Sequence, residues 1–186
     1  MTPWETIVTA RAGARFRWGQ VMSQTVYRRG FGAFGPGSTI VAPLRLKNIA
    51  AIEIGRDTVV YERAWLQCEH RLRSRLVVGD RVYLGHDVHL HATSTVHIGD
   101  DCFLADGVTV SDGFHHSGAF EAVGSSGDIA VGDGVFIGVG AVVLGGVTVG
   151  PGAQIGAGAV VTRDVGVGEV VAGVPARPLR SPIGNG

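Results

Sequence analysis

Val131-Gly-Asp-Gly-Val-Phe-Ile137-Gly-Val-Gly-Ala-Val-Val143-Leu-Gly-Gly-Val-Thr-Val149-Gly-Pro-Gly-Ala-Gln-Ile155-Gly-Ala-Gly-Ala-Val-Val161 sets an aliphatic residue at every sixth position. Four positions after each comes a small or aliphatic one: Val135, Ala141, Val147, Ala153, Ala159. A purely extended chain repeats every second residue and a helix about every 3.6, so a period of six calls for a short strand and a corner, repeated. Three such units close one triangular coil, and successive coils stack their inward aliphatics at the strand spacing of about 4.8 Å. Glycine follows the aliphatic position at Gly132, Gly138, Gly150 and Gly156, where it is expected to supply corner conformations that a Cβ penalises.

The same period extends outward in both directions. Upstream it runs through Ile54, Val60, Leu66, Leu72, Val78, Leu84 and Leu90, slips by two residues, and resumes at Ile98, Leu104 and Val110. Thr58, Ala64, Val82, Val88 and Val108 fill the small position of these repeats. Downstream it is expected to reach Val167, and Ile40, Leu46 and Ile52 mark an entry coil. A sandwich or barrel would instead punctuate the chain with turns about every 8–12 residues. The predicted organisation is an all-β parallel β-helix over residues 38–174 with a loop extruded at 115–128. An N-terminal segment, 1–37, holds a short helix between about Glu5 and Arg29, and a C-terminal arm and tail span 175–186.

Composition narrows the function. Glycine occurs 30 times in 186 residues without falling every third position, so the excess marks tight corners, not a collagen helix. Sixteen basic residues balance sixteen acidic ones, which gives no pull toward nucleic acid or an anionic membrane surface. No apolar run is long enough to span a bilayer, and the N-terminus lacks the apolar core of a secretory signal, so a cytoplasmic location is expected. Cys68 and Cys102 are too few for a disulfide framework and fall at repeat positions where packing explains them.

The stretch from Ile129 to Val165, closed by Val171-Ala-Gly-Val-Pro-Ala-Arg-Pro-Leu-Arg180, resembles the hallmark segment of the hexapeptide-repeat sugar O-acetyltransferases. These include the maltose, galactoside, nodulation-factor and capsular-polysaccharide acetyltransferases. The resemblance covers about residues 38–180. It implies a left-handed winding, acetyl-CoA as acyl donor, a sugar or glycoconjugate hydroxyl as acceptor, and a homotrimer. It also implies a catalytic histidine where the repeat breaks into the extruded loop. Val108-Thr-Val-Ser-Asp-Gly-Phe-His115 matches that stretch, and imidazole is the side chain best matched to take a proton near neutrality. His115 is therefore the expected base, with His116 beside it as a competitor and acceptor contact. Asp112 is expected either to orient that imidazole or accept a substrate hydroxyl bond, or to cap a turn. By the same resemblance Gly138, Val139, Ala157 and Thr162 line the pantetheine groove, and Arg163, Arg177 and Arg180 meet the phosphates. His91 stands where galactoside-type relatives carry an acceptor-binding asparagine.

Two other readings are weighed against this one. A γ-type carbonic anhydrase shares the coil and needs three histidines on a metal; His86 and His91 have the spacing, but no histidine lies near Ala50, so no metal is expected. A non-catalytic assembly module would need neither the broken repeat nor the closing arginine motif. No GxxxxGK[ST] is present, which leaves nucleotide hydrolysis without support.

Overall fold

A computed structural model of the chain describes the backbone of residues 3–69, 73–116 and 119–179. It describes the side chains of that range apart from 3–11, 114–116 and 119–123. The short strands stack in parallel register into three sheets that form the faces of a prism, a parallel β-helix. The first face carries Ala33–Phe34, Ile52–Ile54, Arg75–Val78, Thr95–Ile98, Ile129–Val131 and Thr148–Val149. The second runs from Thr39–Ile40 to Val170–Ala172, and the third from Arg45–Lys47 to Val160–Val161. Each strand pairs with the strand one coil above and one below, as in Leu66 with Leu90 and Val110 with Val143.

The inward aliphatics of the repeat form the core. Ile54, Val60, Leu66, Leu84, Leu90, Ile98, Leu104, Ile137, Val143 and Ile155 are all buried, as are the small residues Thr58, Ala64, Val82, Val88, Val108, Val135, Ala141, Val147, Ala153 and Ala159. Burying one such aliphatic side chain contributes about 1.5–3 kcal/mol, so the pile of rungs is the main stabilising element. One expected rung differs. Val167 is 79 % exposed, and Val165 turns inward in its place, bridging to Val149. Val167-Gly168 imitates the repeat in sequence but occupies a turn. Leu72 lies outside the described residues; Leu76 and Val78 are the buried pair of the next first-face strand.

The glycines separate into two kinds. Those directly after the aliphatic position have ordinary backbone angles and are glycine because the next coil lies on them: a Cβ on Gly138 would sit 2.6 Å from the Ala157 nitrogen. The left-handed corner residue comes two positions later, as at Gly134 (φ +65°), where nothing obstructs a Cβ. The expectation that the first set supplies corner conformations is thus corrected to close approach between coils.

Both ends of the stack are covered. Helix α1 (Pro3–Met22) continues through a π turn, Ser23–Tyr27, and a last helical turn to Gly30. Fully buried Ser23 accepts the Ile40 N–H through Oγ at 2.9 Å, and Gly19 is so near the Ile40 carbonyl that a Cβ would lie 2.8 Å from it. Tyr27, Phe31 and Phe34 meet edge to face where the helix joins the first rung. At the other end the Ala176 N–H bonds the Val160 carbonyl at 2.8 Å, and Arg177–Pro178 pairs antiparallel to Val170–Ala172. This closes sheet edges that would otherwise be open templates.

The coil is not uniform. From Val131 to Val149 one turn takes 18 residues, but from Ile54 to Val78 it takes 24, and from Ile98 to Val131 it takes 33. The extra residues all enter at the corner between the third and first faces: 48–51, 69–74, 93–94 and 112–128. The longest of these inserts is an antiparallel hairpin of Gly113–His116 with Ala119–Ser125.

Candidate active site

The functional candidates are built on that irregular corner and the third face beside it. Along this face the outward positions of successive strands align Lys47, Gln67, His91 and Ser111 in one column. A parallel column next to it holds Arg45, Trp65, His89 and Thr109. Glu69, from the six-residue insert, folds back onto the first column. It takes an ion pair from Lys47 Nζ at 2.9 Å and a short hydrogen bond from the Gln67 amide, whose Oε1 in turn accepts the Trp65 indole N–H at 2.9 Å. Burial pushes the Glu69 carboxyl up, yet Lys47, His91 and Gln67 together outweigh it and hold it below the ordinary value.

His91 is enclosed on three sides. Its Nε2 lies 3.4 Å from Glu69 Oε1 and 3.4 Å from Gln67 Nε2, and its Nδ1 lies 3.5 Å from Ser111 Oγ. Burial pushes the imidazole below its ordinary value, and the attraction of Glu69 and Asp112 only partly offsets this. His89 stacks between Trp65 and His91 and is lowered for the same first reason, with the His91 charge adding to it. Both rings are neutral at neutral pH.

Asp112 is fully buried. Its carboxylate accepts the backbone N–H groups of Thr93 and Ser94 at 2.6 Å each, the Ser94 hydroxyl at 2.6 Å and the Ser125 hydroxyl at 3.2 Å. Of the roles expected, this is the geometry of a cap: the carboxylate ties the two-residue slip at 93–94 to the foot of the hairpin. Ser126 adds a bond from Oγ to the Asp112 carbonyl at 3.0 Å. Gly113 starts the hairpin directly over His91, since a Cβ there would lie 2.8 Å from the ring Cε1 and 2.8 Å from Thr93 Oγ1.

His115 and His116 are on the hairpin strand that begins at Gly113; His115 pairs with Val123 and His116 with Ala119. Their side chains lie outside the described residues, as does Arg180. The other expected residues fall at two edges that flank the third face. Gly138, Val139 and Ala157 stack at the corner between second and third faces, with Val139 58 % exposed. Thr162 and Arg163 are exposed at the corner between third and first. Arg163 and Arg177 share a cavity of about 110 Å³ with Asp164 and Glu169. Those two acids cap backbone N–H groups, of Thr148 at 2.7 Å and Gly166 at 2.7 Å. Among the described residues neither arginine is ion-paired, and Arg177 Nη1 donates to the Ala176 carbonyl at 2.8 Å.

Of the four histidines between positions 86 and 97, only His89 and His91 meet. His86 is on another corner, 2.7 Å from Glu62 and 3.4 Å from Asp106, and His97 is exposed on the first face. Cys68 and Cys102 are buried, and burial pushes both thiols up to about 11, which makes them packing residues and poor nucleophiles. Sequence reasoning missed Ser111, Glu69 and Thr93; the available signal was that each stands where the period of six slips.

The family described as bacterial transferase hexapeptide (six repeats) matches residues 128–163, and that described as hexapeptide repeat of succinyl-transferase matches residues 75–112. Over these two stretches the chain matches hexapeptide repeats. Solved structures share its fold. AntD, an N-acyltransferase from Bacillus cereus in complex with dTDP and 3-hydroxybutyryl-CoA, is 18 % identical with a TM-score of 0.74, over 85 % of this chain and 87 % of that one. The hexapeptide-repeat acetyltransferase VCA0836 from Vibrio cholerae O1 biovar eltor, complexed with acetyl-CoA, is 23 % identical with a TM-score of 0.62, over 87 % and 77 %. The acetyltransferase domain of PglB from Neisseria gonorrhoeae FA1090 is 23 % identical with a TM-score of 0.59, over 89 % and 67 %. No curated protein sequence matches. At these identities the structural likeness speaks for the fold.

Proposed function

We infer that this hexapeptide-repeat chain is an acyltransferase that moves an acetyl group from acetyl-CoA to a hydroxyl of a sugar or glycoconjugate. It is carried by one feature: the longest interruption of the coil sets a hairpin bearing His115 over the polar column of His91 and Ser111. A coil that served only for assembly has no use for such a break. In the proposed reaction donor and acceptor are bound together. His115 takes the acceptor proton, the oxygen attacks the acetyl carbonyl, and the CoA thiolate leaves. His91 and His116 contact the acceptor, and Asp112 holds the hairpin by its foot.

The donor fits the cations better than it fits the glycine. Gly138 is required by the coil packed on it, so its identity carries no information about pantetheine. Arg163 and Arg177 line one cavity and neither is ion-paired among the described residues, which suits phosphates. Thr162 with Arg163, and Gly138 with Val139 and Ala157, flank opposite sides of one face. One arm reaches both sets if an edge of one copy faces the other edge of the next, which is what a three-fold assembly of prisms provides. Exposed Phe103, Phe136 and Val139 supply apolar surface for that contact.

A second acceptor class is favoured by one likeness: a variant of AntD is complexed with dTDP-4-amino-4,6-dideoxyglucose and coenzyme A, over the same fold at a TM-score of 0.73. An amine on a nucleotide-linked sugar would use the same arrangement. The test is thiol release from acetyl-CoA against a panel of sugars, glycoconjugates and nucleotide-linked amino sugars, with calorimetry of CoA and sedimentation of the free protein. Acceptor-dependent release with a trimer is expected. No CoA binding and no release across the panel would overturn the assignment.

A further inference from the structure

Ser111, His91 and Glu69 stand in line across the third face, and an acceptor contact by His91 does not require a serine on one side of the ring and a carboxylate on the other. A serine hydroxyl is a weak nucleophile unless a base is within reach and the base is itself oriented. Ser111 Oγ is 3.5 Å from His91 Nδ1, and His91 Nε2 is 3.4 Å from Glu69 Oε1, distances loose enough to tighten around a substrate. Glu69 is fixed in turn by Lys47 and Gln67. The Gly113 N–H donates to Ser111 Oγ at 3.3 Å, which leaves the serine proton free to point at His91 Nδ1.

A second observation points to a ligand at the same place. Thr93 is 8 % exposed, and its Oγ1 has no hydrogen-bond partner among the described residues. A buried hydroxyl left unpaired costs about 1–3 kcal/mol. It meets the His91 ring beneath Gly113, where a Cβ would lie 2.8 Å from Thr93 Oγ1 and 3.0 Å from His91 Nδ1, so hydroxyl and imidazole converge on one point beside Ser111. That hydroxyl is the donor an oxyanion beside Ser111 would use.

We propose that Ser111, His91 and Glu69 form a nucleophile, base and positioning carboxylate that hydrolyse short acyl esters and thioesters through an acyl-Ser111 intermediate. In the first half Ser111 Oγ bonds to the acyl carbonyl carbon, and its proton passes to His91 Nδ1. The carbon–sulfur or carbon–oxygen bond breaks, and the leaving group takes that proton. In the second half water attacks the acyl-serine, its proton goes through His91 back to Ser111 Oγ, and the free acid departs. Glu69 stabilises the imidazolium of each half through Nε2–H.

The experiment uses the full chain with p-nitrophenyl acetate, and separately acetyl-CoA, with no acceptor present. Wild type is expected to hydrolyse the ester and, after acid quench, to carry one acetyl mass on the peptide containing Ser111. Ser111→Ala should lose the label and about 10³-fold or more of the rate. Glu69→Gln should lower the plateau and move the acidic limb of the pH–rate profile to lower pH, which a merely structural carboxylate would not do. Should Ser111→Ala melt early, Ser111→Cys keeps the side-chain size, and an acetyl thioester at that position is the expected adduct. His115→Ala should keep this hydrolysis while losing acceptor-dependent transfer. Hydrolysis and label without any transfer would sink the transferase assignment alone. No adduct at position 111, or wild-type hydrolysis by Ser111→Ala, overturns the proposal.

Discussion

The two sides of the prism obey different rules. At the corners between first and second faces and between second and third, each turn of the coil arrives on schedule, and at the first of these glycine and aspartate stack on their own kind. The Asp80, Asp100 and Asp133 carboxylates, for example, each accept a backbone N–H from the coil before, at 2.9 Å. At the corner between third and first faces the schedule breaks four times in succession. There Glu69, Thr93, Asp112 and the hairpin of His115 gather beside one outward column. A solenoid repeats because each rung needs only its neighbours. Chemistry needs unlike groups at one point, and the insertions gather unlike side chains at a single edge, while the donor-groove residues proposed at Gly138, Val139 and Ala157 sit on regular coils.

The sharpest way to break that comparison is to separate activity from stability across the two regions. His115→Ala is expected to lower acetyl transfer by about 10²–10⁴-fold with an unchanged melting temperature. Ile155→Ala, in the regular coils, should cost about 2–5 kcal/mol of stability with the chemistry of the folded fraction intact. Turnover kinetics on folded protein and thermal melts read both. Wild-type turnover in His115→Ala would remove that residue from catalysis.

Asp112→Ala belongs to both regions and is next in size. It leaves two backbone N–H groups at 93–94 and two serine hydroxyls without their acceptor, at about 1–3 kcal/mol for each buried group. A loss near 3 kcal/mol is expected, together with faster amide exchange in the hairpin strands while the second face stays protected. Equal exchange across the whole coil would show that the hairpin is not held by this carboxylate.

How far the sequence reaches follows the same division. Where the coil is regular the period of six alone places every rung, because one side-chain type in one slot has one physical reading. It fails at Val167, where an aliphatic–glycine pair serves a turn, since the pattern records residue type but not which side of a corner it is on. It also assigned the wrong physics to Gly138: flexibility and close approach favour the same residue. The site was legible as a location. The slip after Leu90 and the interruption after Val110 both point to it. Its membership was not, because Glu69, His91 and Ser111 are 20 or more residues apart in sequence and meet only through strand register across three coils.

The two kinds of glycine make a smaller and cleaner test. Gly138→Ala must push the next coil away from a Cβ at 2.6 Å, and overpacking of this kind costs about 1–3 kcal/mol. Gly134→Ala meets open space and carries only the strain of a left-handed backbone, about 1 kcal/mol. Melts that rank the two the other way would return the first set of glycines to a conformational role.

Acid should produce the smallest effect, and it should come from the irregular side. His89 and His91 are both lowered by burial, so the folded chain binds their protons less tightly than the unfolded chain does. Their contribution is fully present above the ordinary histidine value of about 6.5 and is lost as pH falls below it. Glu69, also lowered, acts further down: its contribution holds above the ordinary carboxyl value and is lost as pH falls through its folded one. The melting temperature should therefore drop between about pH 7.5 and 5.5 by a few degrees, given about 2–4 °C per kcal/mol in a chain of this size. His89→Gln should flatten that slope. A slope unchanged by His89→Gln would mean that the stacked pair beside Trp65 is as well solvated as any surface histidine, and that the third face is no more enclosed than the other two.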